Sequence, residues 1–299
     1  MIRKPSWIKK SIPLSGIASM QNKLKEDQLH SVCEEAKCPN LPECFSKGIA
    51  TVMIMGDICT RSCKFCSVKT GKPFALDPHE PEHVANWAKN LKLKHLVITS
   101  VDRDDLADLG ATHFASTINY VKKACPQTII EVLTPDFQGR ELLINQICKA
   151  NPIIFNHNLE TVKRLTPHVR SAAKYDQSLK VIRHVKKNYP SIITKSGLML
   201  GLGETESEIL EAMYDLKLQG CDLLTLGQYL QPTANHFPVM SYVHPHKFEE
   251  YKLKGIQMGF QSVFSGPFVR SSYLAEELYQ KIQPTLQASV FFDKISHPS

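Results

Sequence analysis

No stretch of this chain is long and apolar enough to span a bilayer as a helix, which speaks against membrane insertion. The first residues, M-I-R-K-P-S-W-I-K-K, lack the apolar core of a secretory signal. No dense Lys/Arg run is interleaved with aromatics, so a nucleic-acid partner is not expected despite the formal charge of +7. That mild excess suits an acidic partner instead. No linker rich in Gly, Pro or Ser divides the central region, and no repeat of roughly 20–50 residues is present. The 299 residues, 42% of them hydrophobic, are enough to bury a substantial core.

What the chain does have is nine cysteines, six of them in two tight clusters. Cys33, Cys38 and Cys44 form one cluster; Cys59, Cys63 and Cys66 form the other. Cys125, Cys148 and Cys221 are scattered and read as small buried hydrophobes. Disulfides are not expected in a chain that needs no staples and carries no secretory signal. Each cluster offers three thiolates, one fewer than a closed structural zinc site requires. His30 could complete a zinc set beside Cys33, so zinc stays open as the alternative to a thiolate-held iron–sulfur centre. Such oxygen-labile centres favour a reducing compartment, and a cytoplasmic location is expected.

Residues 1–50 show no sustained period and read as an irregular extension folded around metal. From residue 51 short β-rich runs begin at Thr51, Leu96, Ile129, Ile153, Ile192 and Leu223, separated by segments of helical length. Ala111–Ala124 and Glu206–Gln219 carry apolar residues at three- and four-residue spacing. Six strands with helical crossovers imply a parallel α/β sheet, short of the eight units of a closed barrel. The expected organisation is an N-terminal extension (1–50), a partial (β/α)6 core (51–240) and a C-terminal helix and tail (241–299) packed on the core.

Candidate ligand-binding residues fall at strand ends, where parallel sheets place their sites. The loop Cys59–Cys66 is expected to follow the first strand directly, with Phe65 either walling a ligand ring or merely packing. T-S-V-D-R-D-D-L places Thr99, Ser100, Asp102 and Arg103 after the second strand, as a binding loop or a capped helix start. Asn158 and Glu160 suit ribose hydroxyls, and Arg170 suits a carboxylate or a plain ion pair. Lys195 leads into S-G-L-M-L-G-L-G-E, where Gly201, Gly203 and Glu204 allow close backbone approach to a ligand or simply form a turn.

The block C-T-R-S-C-K-F-C resembles the cluster loop of radical S-adenosylmethionine (SAM) enzymes. Taken with S-V-C-E-E-A-K-C-P-N-L-P-E-C, T-S-V-D-R-D-D-L, S-G-L-M-L-G-L-G-E, L-T-L-G-Q-Y-L-Q-P-T and G-P-F-V-R-S-S-Y, the pattern is similar to the lipoyl synthase family over nearly the whole chain. The resemblance implies a partial (β/α)6 barrel of radical SAM type whose terminal extensions hold an auxiliary cluster. It implies a [4Fe–4S] cluster on Cys59, Cys63 and Cys66, with one iron open to SAM. A second [4Fe–4S] cluster would sit on Cys33, Cys38 and Cys44, with a serine of R-S-S-Y, Ser272 or its neighbour Ser271, as the weak fourth ligand. The implied reaction inserts two sulfur atoms at C6 and C8 of an octanoyl-lysine. The implied partners are octanoylated carrier domains (2-oxoacid dehydrogenase E2 subunits, glycine-cleavage H protein), a ferredoxin- or flavodoxin-type electron donor and an iron–sulfur carrier protein for cluster repair.

Overall fold

The structure, a computed structural model, describes residues 3–8, 22, 24, 26, 27, 29–35, 38, 40–46, 51–170 and 172–272. Among the described residues, ten short strands run in chain order: β1 (His30–Ser31), β2 (Thr51–Ile54), β3 (Ile58–Cys59), β4 (Lys69–Thr70), β5 (His95–Ser100), β6 (Ile129–Leu133), β7 (Ile154–Asn156), β8 (Ile193–Leu200), β9 (Leu223–Gln228) and β10 (Ser262–Gly266). Eight of them form one sheet in the order β1-β2-β5-β6-β7-β8-β9-β10. From β2 onward every pair is parallel, and each new strand adds beside its predecessor. With right-handed crossovers, that order puts all the helices on one face and curls the other face inward, the arrangement of a partial barrel. Among the described residues no ladder joins β10 back to β1.

The local sequence explains the elements. β2, T-V-M-I, is buried throughout, as a strand covered on both faces must be. Helix Glu206–Leu218 starts at Thr205, whose side chain and Glu208 form a reciprocal capping box. Helix Glu80–Asn90 carries Pro81 in its first turn, where a missing N–H costs nothing. Trp87, Phe114 and Phe137 fill the core under the first strands; Tyr175, Phe248 and Tyr251 fill it under the last.

Two expectations change. The parallel run has seven strands, not six, because Ser262–Gly266 joins β9 in register. A short β-like run after the helix-like stretch 246–258 is legible in the sequence, and its Val263 is buried, but five residues with two serines carry too little signal to place the run in the main sheet. The C-terminal region therefore contributes to the barrel itself. The cluster loop also does not follow β2 directly. Met55 and Gly56 both take left-handed conformations and feed a two-stranded ribbon, β3 with β4, from whose end the loop leaves. Residues 9–21, 47–50 and 273–299 lie outside the described residues, and with them Tyr273 of R-S-S-Y and much of the expected 1–50 extension.

Candidate active site

The C-terminal strand ends converge on a cavity of about 560 Å³, within the size range of small-ligand sites. Cys59, Cys63 and Cys66 line it from one side, Cys33 and Cys38 from another, and Ser271 and Ser272 from the returning tail. The two cysteine clusters thus face a common space.

Hydrogen bonds fix the loop Cys59–Cys66. Thr60 donates its backbone N–H and its hydroxyl to the Asp102 carbonyl (3.0 and 2.9 Å). The amides of Arg61 and Asp102 point at the Cys59 sulfur at 3.4 and 3.3 Å. N–H groups aimed at a cluster sulfur stabilise its reduced state. Lys64 donates to the Val169 carbonyl, and the Cys66 carbonyl meets His236 Nε2 at 2.9 Å. Arg61 is the hub: its guanidinium reaches Asp104 at 2.7 Å, Asp136 at 2.9 Å and Asp102 at 3.4 Å. Burial pushes the thiols up, Cys59 to about 11 and Cys63 to about 12, with the nearby Asp102 carboxylate adding to it. Cluster assembly here must therefore expel protons, which bound iron cations make favourable.

Cys33, in the short helix Val32–Glu35, Cys38, and Cys44, in the helix Leu41–Ser46, are close enough for their sulfurs to interact. The Cys38 amide donates to the Cys33 carbonyl at 3.0 Å and the Cys44 amide to that of Asn40 at 2.9 Å. The Cys33 thiol is raised well above its ordinary value by its hydrogen bond with Cys38, by burial and by the neighbouring sulfurs. The tail returns to this segment: Asn40 Nδ2 donates to the Phe268 carbonyl at 2.6 Å. Gly227 makes room for that return, since any Cβ there would strike the Val269 carbonyl.

The cavity wall includes most of the residues expected from sequence: Phe65, Thr99, Ser100, Asp102, Asn158, Glu160 and Arg170, besides the cysteines. Four of the lining residues hold buried polar atoms without a protein partner: Ser100 Oγ, Thr134 Oγ1, Asn158 Oδ1 and Arg170 Nε. Orphans of that kind cost free energy unless a polar ligand meets them, so the wall fits a polar molecule such as SAM. Three open thiols beside it fit an iron–sulfur cube.

Other expected contacts are not brought there. Arg103 turns away from the cavity and is buried beneath the loop, on Asp105 (2.9 Å) and the Phe74 carbonyl (3.0 Å), because its own carboxylate neighbour is two residues away on the same loop. Gly201 and Gly203 have left-handed φ of 100° and 104° and make a turn, capped by Glu204 accepting from the Leu202 amide at 2.9 Å. Lys195 lies on the inner strand surface against Glu131 at 2.8 Å, not in the cavity wall. Cys44 is buried beside Cys33 and does not line the cavity. Sequence reasoning missed Arg61 and Asp136. Arg61 sits inside the cysteine motif, and Asp136 ends the third parallel strand just as Asp102 ends the second, a strand-end carboxylate that positional logic could have flagged. It also missed His157, fully buried between the Thr134 carbonyl and Ser178 Oγ. Burial lowers His157 to about 4, helped by Arg170, so the ring is neutral.

Residues 53–216 match the Radical SAM superfamily. A lipoyl synthase from Bacteroides fragilis is 54% identical over 277 residues, 92% of this chain and 96% of that protein. A lipoyl synthase from Thermus thermophilus is 53% identical over 279 residues, 92% of this chain and 86% of the relative. The chain belongs to the lipoyl synthase family. Among solved structures, methylornithine synthase superposes with a TM-score of 0.54 over 78% of this chain and 80% of its own, at 11% identity. Streptococcus suis SuiB bound to S-adenosylmethionine gives 0.56 over 75% of this chain and 52% of its own, at 14% identity. At such identities these two show the shared fold alone. Among the described residues no helix is long and apolar enough to cross a membrane.

Proposed function

We infer that this enzyme is a sulfurtransferase that converts an octanoyl-lysine on a carrier domain into a lipoyl-lysine. The observation that carries the reading is one cavity lined by cysteines of both clusters, in a chain of this family. Carbons 6 and 8 of an octanoyl chain are unactivated, so no side-chain acid or base can deprotonate them and the reaction belongs to its cofactors. Cys59, Cys63 and Cys66 would hold the [4Fe–4S] cluster that reductively cleaves SAM, supplying a 5′-deoxyadenosyl radical for hydrogen abstraction, while the [4Fe–4S] cluster of Cys33, Cys38, Cys44 and Ser272 would supply the sulfur.

The chain's own residues bind, orient and exclude water. Asn158 and Glu160 are the ribose-facing pair; burial raises the Glu160 carboxyl against the pull of Arg170. Arg170 and Ser100 offer the polar atoms for the amino-acid end, and Phe65 a flat apolar wall. Arg61 and its three carboxylates hold the cysteine loop rigid. The organisation assigned is an extension over 1–50, a core over 51–240 and a C-terminal helix and tail over 241–299, the last also lending a barrel strand. E2 and H-protein carrier domains, a ferredoxin- or flavodoxin-type donor and an iron–sulfur repair protein are the partners this chemistry calls for, in a reducing cytoplasm.

The test is mass spectrometry of an octanoyl-lysine peptide after anaerobic incubation with reconstituted enzyme, reductant and SAM. A gain of two sulfurs, with two hydrogens lost once the dithiol is oxidised to the cyclic disulfide, supports the reading. Deoxyadenosine formed with the peptide untouched points to another radical reaction and overturns it.

A further inference from the structure

The barrel buries a lysine that the mechanism above does not use. Lys195 is 1% exposed, on β8, and its ammonium contacts Glu131 Oε1 on β6 at 2.8 Å. Glu131 is wholly buried and also takes the Asn156 amide at 3.1 Å, with His95 Nε2 3.4 Å from its other oxygen. Burial pushes the Glu131 carboxyl up, but Lys195 and His95 more than reverse this and hold it near 2. A buried ion pair of this kind adds little stability over apolar residues of the same shape. Its retention asks for another role.

An ammonium carries three N–H donors. Glu131 takes one, and a second reaches the main-chain carbonyl of Ser271 at 2.5 Å, 76 residues further along the chain. The side chain of the same serine is held separately: Asn158 Nδ2 donates to Ser271 Oγ at 2.6 Å. Gly197, on the same strand as Lys195, leaves room for the Asn158 carboxamide that makes this bond, since a Cβ there would lie 3.0 Å from Asn158 Oδ1. Ser271 is therefore gripped at its backbone by strand β8 and at its side chain by the loop that follows β7. A two-point grip fixes the direction of the next residue, and Ser272 lines the cavity with Cys33 and Cys38.

We propose that Lys195, neutralised by Glu131, is a positioning residue that clamps the Ser271 carbonyl inside the barrel, so that Ser271 serves as the anchor and the Ser272 hydroxyl is presented to the auxiliary cluster. This rests on the reading of Ser272 as the fourth ligand of that cluster. A charge-assisted hydrogen bond to the main chain holds the tail independently of whether Ser272 is bound, so the ligand can leave and return to the same place.

The test variant is the double substitution Glu131→Gln with Lys195→Met, which removes the clamp without stranding a buried charge and keeps an oxygen for Asn156. The first measurement is hydrogen exchange on the full chain before cluster reconstitution. Amides of 268–272 should exchange roughly ten- to a hundredfold faster, the effect of losing one hydrogen bond to a charged group, while those of β6 and β8 keep their protection. Unchanged exchange in the tail, or equal loss in the strands, overturns the clamp. The second measurement is made on reconstituted protein. The Mössbauer signature of the oxygen-ligated iron should broaden or vanish with total iron unchanged, and deoxyadenosine released per lipoyl group should rise about tenfold, the kinetic equivalent of misplacing one group. A wild-type signature in the variant contradicts the presentation of Ser272. Failure of wild-type enzyme to make lipoyl product would instead strike the reading of the function, while hydrogen exchange still decides the clamp.

Discussion

The two cysteine clusters face one cavity but are built in opposite ways. Cys59–Cys66 is set into the barrel: two amides point at the Cys59 sulfur, Thr60 is bonded twice to the Asp102 carbonyl, and Arg61 ties the loop to Asp102, Asp104 and Asp136. Cys33–Cys44 is assembled from chain ends. It hangs on a two-residue antiparallel ladder to β2, on Ser31 Oγ donating to the Thr51 carbonyl at 3.1 Å, and on Asn40 meeting the returning tail. The contrast matches the two tasks proposed for them. A centre that passes an electron on every cycle gains from a fixed, preorganised setting. A centre that surrenders sulfur must open and be rebuilt, and an edge assembly can open without disturbing the barrel.

The sharpest way to break this comparison is to remove each ligand set. Replacing Cys59, Cys63 and Cys66 by Ala should abolish SAM cleavage and remove about half of roughly eight irons, at about four per cube. Replacing Cys33, Cys38 and Cys44 should remove the other half and leave SAM cleavage detectable. Iron counting and deoxyadenosine release check both; zinc in protein purified without oxygen would overturn the assignment.

Arg61→Met comes next. It strands Asp136, whose side chain is fully buried, without its cation, and should cost about 3–5 kcal/mol, read as a fall in urea midpoint. The barrel-side cluster should be lost and the edge cluster kept. A variant that loses both equally contradicts the separation of the two sites.

His157 supplies a pH test of the barrel-side wall. Its pKa in the fold is about 4 against an ordinary 6.5. The folded state therefore binds fewer protons than the unfolded one across that interval. The stability it contributes is complete above about 6.5 and is lost as pH falls towards 4, by about 3 kcal/mol at 1.36 kcal/mol per unit. Urea unfolding across that window should show the slope in wild type and a shallower one in His157→Gln. Equal slopes would remove the ring from the account.

The smallest effect is expected at Asn40→Ala, which deletes one hydrogen bond to the Phe268 carbonyl. It should cost about 1 kcal/mol and speed iron loss from the edge cluster alone, followed by chelator kinetics.

Much of this was readable in the chain. The strand runs at Ile129–Leu133 and Leu223 onward, and helices such as Ala111–Ala124, follow from hydrophobic periodicity, and the cysteine spacing singled out the two groups whose side chains meet at the cavity. The parts that were not readable depend on long-range meetings. Arg103 and Arg61 lie in similar charged loops, and only the fold buries one away from the cavity on Asp105 and sends the other among three carboxylates. Lys195 reads as a ligand contact because its strand ends at the mouth; it shares the inward face with the cavity-lining Gly197, but Glu131 and the Ser271 carbonyl take up its ammonium below the cavity wall. β10 was too short and mixed to announce itself as the seventh parallel strand.

The central claim is that the edge assembly gives up its own sulfur. The direct measurement labels the enzyme's sulfide with heavy sulfur, runs one turnover on an octanoylated carrier without any repair system, and weighs the product. Two heavy sulfurs in a single lipoyl group are expected. Lipoyl product built from unlabelled free sulfide, with the label still on the enzyme, would contradict the account.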